Sequence, residues 1–260
     1  TGAIIIMERG SKHILEQKKI LEKNPHKKNE AIPNRNIKCN LKAYQFANFI
    51  SVASQHVKES FLLHQYPENR IFVNPYGVDL SMFKPLPNIP KKYDVIMVGG
   101  WGYEKGCDLI VEAIRKTNYS FIHVGSIKDV DFPQEKNFTH IDPVDQSKLI
   151  EYYNQAKVFI LPSRQDGFGM VLSQALACNL PIIGSNNCGA PDLKKMVELP
   201  EYITIIKDYT ADAIVTAIHT AIKNYEQLGE RIYAGNAIEN LTWEAYGKRY
   251  ANFLHKIIKQ

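Results

Sequence analysis

A chain of 260 residues is long enough for one large domain or two modest ones, with a sizeable buried core. Its composition, 45% hydrophobic and 23% charged, is that of an ordinary globular protein, and no apolar run approaches the roughly 18 residues of a membrane-spanning helix. The net charge of +5 comes without aromatic interleaving or any nucleic-acid-binding motif, so nucleic acid is not an expected partner. Cys39, Cys107, Cys178 and Cys188 show no CxxC spacing and read as reduced thiols of a cytosolic protein, not as a disulfide framework or zinc site. In that compartment the Asn-x-Ser/Thr triplets at Asn118, Asn137 and Asn240 are chance matches.

The first predicted element is a strand from Ala3 to Met7. No initiator Met or signal peptide precedes it, so the chain reads as starting inside a longer first domain. A Lys-rich helix from Lys12 to Glu22 follows, then a polar loop with Pro25, Pro33 and several Asn. Between Glu8 and Lys42, ten Lys or Arg face four Glu. Such a segment either is a solvated helix face with a flexible loop or rests on anionic lipid headgroups or a phosphorylated acceptor. A helix over Leu41–Ala47, a strand over Phe49–Ala53, a helix over Gln55–Leu63 and a strand over Arg70–Val73 complete this block.

Pro85, Pro87 and Pro90 then mark an extended linker. The second block alternates β-branched runs with helical patterns, which predicts an α/β domain with a parallel sheet. Its strands are Asp94–Val98, Ser120–Val124, Phe138–Ile141, Val158–Leu161, Pro181–Gly184 and Tyr202–Ile206. Helices lie near Lys105–Lys116, Gln146–Ala156, Gly169–Ala177, Asp192–Glu198 and Ala211–Tyr225, and a last one carries an apolar stripe from Trp243 through Tyr250 to Ile257. The resulting division is 1–76, the remaining part of a first domain; 77–92, the linker; 93–241, the second domain; and 242–260, a closing helix.

Two stretches carry chemistry. In Val98-Gly99-Gly100-Trp101-Gly102-Tyr103-Glu104-Lys105-Gly106 a strand runs into glycines and then a helix. Glycines admit a ligand to the backbone, helix-start N–H groups favour an anion, and Lys105 adds a point charge suited to a diphosphate. Tight-turn geometry alone would also explain the glycines. In Leu161-Pro162-Ser163-Arg164-Gln165-Asp166-Gly167-Phe168-Gly169, another strand ends before a helix that carries Gln174. An acid on the rim and an amide on the helix suit the hydroxyls of a ribose and a sugar. The alternative is that Asp166 is an N-cap and Gln174 a surface residue.

Together these motifs resemble the glycosyl transferases of group 1, retaining enzymes of the GT-B fold. Pro75-Tyr76-Gly77-Val78-Asp79 stands where that family ends its linker, Gly99 to Gly106 matches its phosphate turn, and Pro162 to Ala175 matches its two-glutamate segment. Gly189-Ala190-Pro191-Asp192 and the helix opening at Trp243-Glu244 also fit. The resemblance implies two Rossmann-like domains across a cleft, with the donor on the second. It implies that Lys105 and the amides of Gly167, Phe168 and Gly169 hold a diphosphate beside Gly99 and Gly100. Asp166 would hold the donor sugar and Gln174 the ribose. Asp166 and Lys105 would be the catalytic pair, with no metal and no cofactor. The implied reaction moves a hexose-type sugar from a UDP- or GDP-sugar, with retention, to a glycan or lipid-linked acceptor of polysaccharide biosynthesis. The expected location is the cytoplasm, peripheral at the inner face of the membrane.

Three departures stand out. The family's arginine falls on Gly100, and Arg164 is the candidate to replace it. Asp166 and Gln174 stand where the family has glutamates. His13, after the first strand, is either an acceptor-side residue or a helix-surface histidine. Asp129-Val130-Asp131 imitates a metal motif of a different fold and reads as a solvated turn. The competing reading is a truncated or degenerate nucleotide-sugar-binding module without transfer activity; an epimerase or phosphorylase of the same fold is a further alternative.

Overall fold

The structure is a computed structural model that describes residues 2–26, 32–198, 200–228 and 235–259. The first unit is a three-stranded parallel sheet in the order β1-β2-β3, formed by Ile6–Arg9, Phe49–Val52 and Ile71–Val73. Its helices are α1 (Ile14–Glu22), α2 (Asn34–Phe46) and α3 (Gln55–Leu62). Ile14, Ile37, Tyr44, Ile50, Val57 and Phe61 make its core.

Two elements differ from the sequence reading. The first strand begins at Ile6, opposite Phe49, and Ile4 and Ile5 are exposed. Just before it the Ile5 carbonyl accepts from the Asn48 and Phe49 amides, while Ile5 N donates to the Asn48 side chain instead of to a backbone carbonyl. α2 begins at Asn34, seven residues before the expected start. Pro33 stands at its N-cap, a place where a missing N–H costs nothing, and Ile37, Leu41 and Tyr44 at spacings of four and three turn one face to the core. The Asn-rich composition of its first turns had read as loop.

The second unit is a six-stranded, wholly parallel sheet. Its strands are β4 (Tyr93–Val98), β5 (Phe121–Val124), β6 (Phe138–Ile141), β7 (Ala156–Leu161), β8 (Ile182–Ser185) and β9 (Ile203–Ile206). Helices α4 (Cys107–Arg115), α5 (Gln146–Asn154), α6 (Met170–Ala177), α7 (Ala190–Met196) and α8 (Ala211–Leu228) follow their strands. The spatial order is β6-β5-β4-β7-β8-β9. The chain therefore builds outward from β4 in one direction, then returns to β7 and builds in the other. The loops after β4 and β7 diverge, and in such sheets this switch point leaves a crevice at the carboxyl ends of the strands. Buried on both faces, the strands are runs of apolar residues such as Val95-Ile96-Met97-Val98 and Val158-Phe159-Ile160-Leu161.

The proline-rich segment is tethered more than extended. Phe83 is buried in the second core, and Asn154 at the end of α5 accepts from the Leu86 amide and donates to the Lys84 carbonyl. The closing helix α9 (Trp243–Ile258) lies against the first unit. Phe253 stacks on Phe72 with ring centroids 4.2 Å apart and meets Phe49 edge-on, while Arg249 donates to Asn74 Oδ1 and to the Pro75 carbonyl. Gly77 is required where the linker passes α9, since a Cβ there would lie 2.4 Å from the Trp243 nitrogen.

Phe253→Ala removes the ring that joins α9 to β2 and β3. A half-buried aromatic lost from such a seam costs about 1–3 kcal/mol, below the full core value. The expected outcome is a lower Tm and earlier proteolytic release of α9, with the second unit intact; unchanged protease resistance would mean that Arg249, Tyr246 and Tyr250 hold α9 without it.

Candidate functional site

β4 runs out into Gly99, whose φ of +122° is a conformation that glycine adopts without strain. Its carbonyl packs so closely under Gly125 that a Cβ on Gly125 would lie 2.1 Å from it, and it accepts from His123 Nε2 at 2.8 Å. Trp101 is fully buried against His123 and Phe132 and exchanges backbone hydrogen bonds with Ser126 and Lys128. The turn is thus pinned from below by an aromatic anchor. A single 3-10 turn over Tyr103–Lys105 follows, and Gly106, at φ +75°, abuts the Pro162 carbonyl. α4 starts only at Cys107, so Lys105 stands on the turn before the helix instead of opening it.

The second loop leaves β7 beside it. Its backbone is held on all sides: Arg164 N donates to the Glu104 carbonyl, Asp166 N to the Asn187 carbonyl, and Gly189 N to the Phe168 carbonyl. Gly169, with φ +77°, is the N-cap of α6. Asp166 is therefore not that cap. Its Oδ1 accepts from Phe168 N in a local turn, and its Oδ2 takes Lys105 Nζ at 2.5 Å. Both side chains of this pair are about four-fifths buried.

Lys105 and Asp166 close one side of a cavity of about 380 Å³. Gly99, Gly100, Phe168 and Gly169 line it, as do Met170 and Val171 of the first turn of α6. Gly10 and Tyr76 of the first unit complete the lining, the Tyr76 ring lying edge-on to Phe168. A cation and a helix start that face one space suit an anionic ligand, and Asp166 beside them suits hydroxyls. Phe168 is buried and contributes its backbone.

Three residues assigned from sequence lie elsewhere. Gly167 does not line the cavity; it closes the seam, where a Cβ would lie 1.8 Å from the Gly10 carbonyl oxygen. Arg164 does not reach the cavity either. Its guanidinium makes a bidentate pair with Asp108 at 2.6 and 2.7 Å, donates to the Tyr103 carbonyl and stacks on the Tyr103 ring. Gln174 is buried in the second core, with Oε1 accepting from the Tyr153 hydroxyl at 3.0 Å. Without a carboxylate's charge, the amide is satisfied by a buried phenol.

His13 is neither on the cleft nor on a helix surface. It caps α1, is 5% exposed, and stacks on His64 and against Tyr44 and Phe61. Asp129 is not a solvated turn residue: its carboxylate accepts from Tyr103 N at 2.9 Å and from Asn24 Nδ2 of the first unit at 2.8 Å. Among the described residues no group of three or more His, Cys, Asp or Glu is placed to hold a metal ion. Likewise no helix among them is long and apolar enough to cross a membrane.

Sequence reading missed the residues that join the units. Ser54 Oγ donates to the Gly167 carbonyl at 2.6 Å, His56 Nε2 lies 2.8 Å from the Asp166 carbonyl, and Gln55 N donates to Asp192. Lys12 Nζ donates to Asn187 Oδ1 at 2.7 Å. The signal was available, since Ser54-Gln55-His56 follows the carboxyl end of β2, as the other site loops follow theirs.

The family model for glycosyl transferases group 1 matches residues 81–237. The probable sucrose-phosphate synthase of Thermosipho melanesiensis is 26% identical over 242 residues, covering 82% of this chain and 56% of that protein. This chain thus spans little more than half of that relative's length. Among solved structures, sucrose-phosphate synthase from Thermosynechococcus elongatus superposes with a TM-score of 0.70 at 19% identity, covering 98% of this chain and 68% of that one. The Anabaena protein HepE in complex with UDP and glucose gives 0.73 at 15% identity, covering 97% and 71%. The fold is accordingly the GT-B arrangement of Rossmann-like domains.

Burial pushes His13, His56 and His123 down to about 4; neighbouring His64 adds to the shift for His13, Lys12 for His56 and His140 for His123. For His123 the geometry agrees. Nε2–H points at the Gly99 carbonyl and Nδ1 faces His140 Nδ1 at 3.0 Å, so a second proton would set two donors against each other. A folded-state value below the unfolded value of about 6.5 means the stabilisation is complete above pH 6.5 and is lost as pH falls toward 4. Tm measured between pH 7.5 and 4.5 is expected to fall over that window. In His56→Gln, which keeps a donor to the Asp166 carbonyl, the fall should be shallower; an equal slope would remove His56 from the cause.

Proposed function

The chain belongs to the glycosyl transferases group 1 family, and from that premise we propose that it takes a hexose-type sugar from a nucleoside-diphosphate sugar and passes it to a glycan or lipid-linked acceptor with retained configuration. The observation that carries the reading is the Lys105–Asp166 pair, set beside the glycine turn at the β4/β7 switch point and covered by the first unit. The structure of HepE with UDP and glucose, whose fold this chain shares, supports a nucleotide-sugar donor here.

In this reading the pair exchanges partners on binding. Lys105 turns to the diphosphate, and Asp166 accepts hydrogen bonds from hydroxyls of the donor sugar. The bond from the sugar's C1 to the diphosphate oxygen breaks, and its electron pair goes to the phosphate. Lys105 and the first-turn amides of α6 stabilise that developing charge within a water-poor cleft. The acceptor hydroxyl attacks C1 from the face the diphosphate leaves, and its proton passes to the departing oxygen. These groups need neither a metal nor a cofactor. Gly10 and Tyr76 bring the first unit, which would carry the acceptor, to the lining of the same cavity.

A second reading, a nucleotide-sugar-binding module without transfer, is favoured by one observation: Gln174 is committed to Tyr153 and leaves the ribose without its expected partner.

Calorimetry and thermal shift against UDP, GDP, ADP and their common sugar conjugates test the donor site. A ligand at a hundredfold excess over its Kd adds about 2.7 kcal/mol of stability. Lys105→Ala is expected to weaken the best nucleoside diphosphate by about tenfold or more, the value of a charge-assisted bond. Hydrolysis or transfer of the conjugated sugar by the same preparation separates the transferase from the binding module; binding unaffected by Lys105→Ala would sink both.

A further inference from the structure

Gly100 is a glycine that its backbone does not demand. Unlike Gly99 and Gly106, it does not hold a left-handed φ. What fills the space beside it is another side chain. A Cβ on Gly100 would lie 2.3 Å from Lys128 Cε, 2.8 Å from Nζ and 3.0 Å from Cδ. The Lys128 stem starts 3.5 Å from where a Cβ on Gly102 would lie, runs across the glycine turn, and brings its ammonium beside Gly100. Gly100 lines the cavity, and Lys128 stands behind it, outside the residues that line the cavity in this structure.

The reach of that side chain is fixed by backbone. Lys128 N donates to the Trp101 carbonyl, Trp101 N donates to the Ser126 carbonyl, and the neighbouring Asp129 carboxylate accepts from Tyr103 N. The loop after β5 is thereby laced to the loop after β4, and Lys128 is aimed along the turn. Its charge is not consumed there. Among the described residues the ion pairs of this face are Lys105–Asp166 and Arg164–Asp108, and Lys128 joins neither. Glu104 feels it only as a neighbour, because burial dominates the behaviour of that carboxyl and raises its pKa.

We infer that Lys128 is the second cation of the donor site, binding the diphosphate from the far side of the turn, and that residue 100 is glycine to leave it room. The inference rests on the nucleotide-sugar reading above. It accounts for two facts together: the missing side chain at position 100, and Arg164 being tied to Asp108 and so unable to replace it. A diphosphate carries more negative charge than Lys105 alone offsets, and Lys105 shares its own charge with Asp166. A flexible, exposed lysine reaching over a glycine supplies the balance at little cost to the fold.

The test measures Kd by calorimetry for whichever of UDP, GDP and ADP binds wild type most tightly, and for its nucleoside without phosphate. Lys128→Ala is expected to weaken the diphosphate about tenfold and leave the nucleoside unchanged, with Tm unaltered because the side chain is exposed. Lys128→Arg should retain binding. Gly100→Arg placed in the Lys128→Ala background should recover most of the loss, since the backbone admits a side chain once Lys128 is gone. Wild type that binds none of UDP, GDP and ADP overturns the donor-site reading and this one with it. Wild type that binds, with Lys128→Ala indistinguishable from it, overturns this inference alone. Equal weakening of diphosphate and nucleoside would make Lys128 a structural prop of the turn and overturn it as well.

Discussion

The arrangement turns on a cation and a carboxylate that satisfy each other, Lys105 and Asp166. Lys105 and Asp166 come from loops after two adjacent strands, 61 positions apart in sequence, and meet at 2.5 Å because β4 and β7 are neighbours. Partly buried charges need partners, and breaking one member away leaves the other costly. A ligand that presents an anion to Lys105 and hydroxyls to Asp166 replaces both halves at once. In the proposed reading the pair would therefore disfavour ligands that can answer only one of its members.

For that pair to hold its place, the loop carrying Asp166 must be rigid, and its rigidity is shared between the two units. Its carbonyls at 166 and 167 are engaged by His56 and Ser54 of the first unit, and its amides by Asn187 and Asp166 itself within the second. Gly167 approaches the Gly10 backbone so closely that no side chain fits between them. The seam is consequently part of the site. Opening it would free backbone groups of the loop, and the aromatic contact of Phe253 with Phe72 at the far end of α9 opposes such opening.

A related economy governs the floor of the cavity. Trp101, His123 and Phe132 form an apolar wedge under the glycine turn, and His123 remains neutral there while donating to the Gly99 carbonyl. The turn is rigid because what lies beneath it is packed, not because glycine is rigid. A Cβ on Gly99 would meet open space, Lys128 packs beside Gly100, and Lys105 lines the cavity that both glycines border.

The sequence alone determined the alternation of strands and helices, the division near the proline-rich segment, and the two glycine-bearing loops that flank the site. Those features follow from local chemistry: β-branched runs, apolar spacing and turn residues act over a few positions. Asp166 and Lys105 were legible for the same reason, as polar residues on loops at strand ends. The start of α2 was less so, because Asn34, Asn36 and Asn40 masked an apolar face that only Ile37 and Tyr44, once buried, reveal. Side-chain partnership was decided by tertiary structure. Arg164 was the candidate to replace the arginine missing at Gly100, and Asp108, in the first turn of α4, holds it instead. Gln174 and His13 went to Tyr153 and to an aromatic cluster for want of any local rule saying which way they turn. The strand order that makes β4 and β7 neighbours, and the seam that lays Gly10 on Gly167, depend on contacts between residues more than sixty positions apart, which no local pattern encodes.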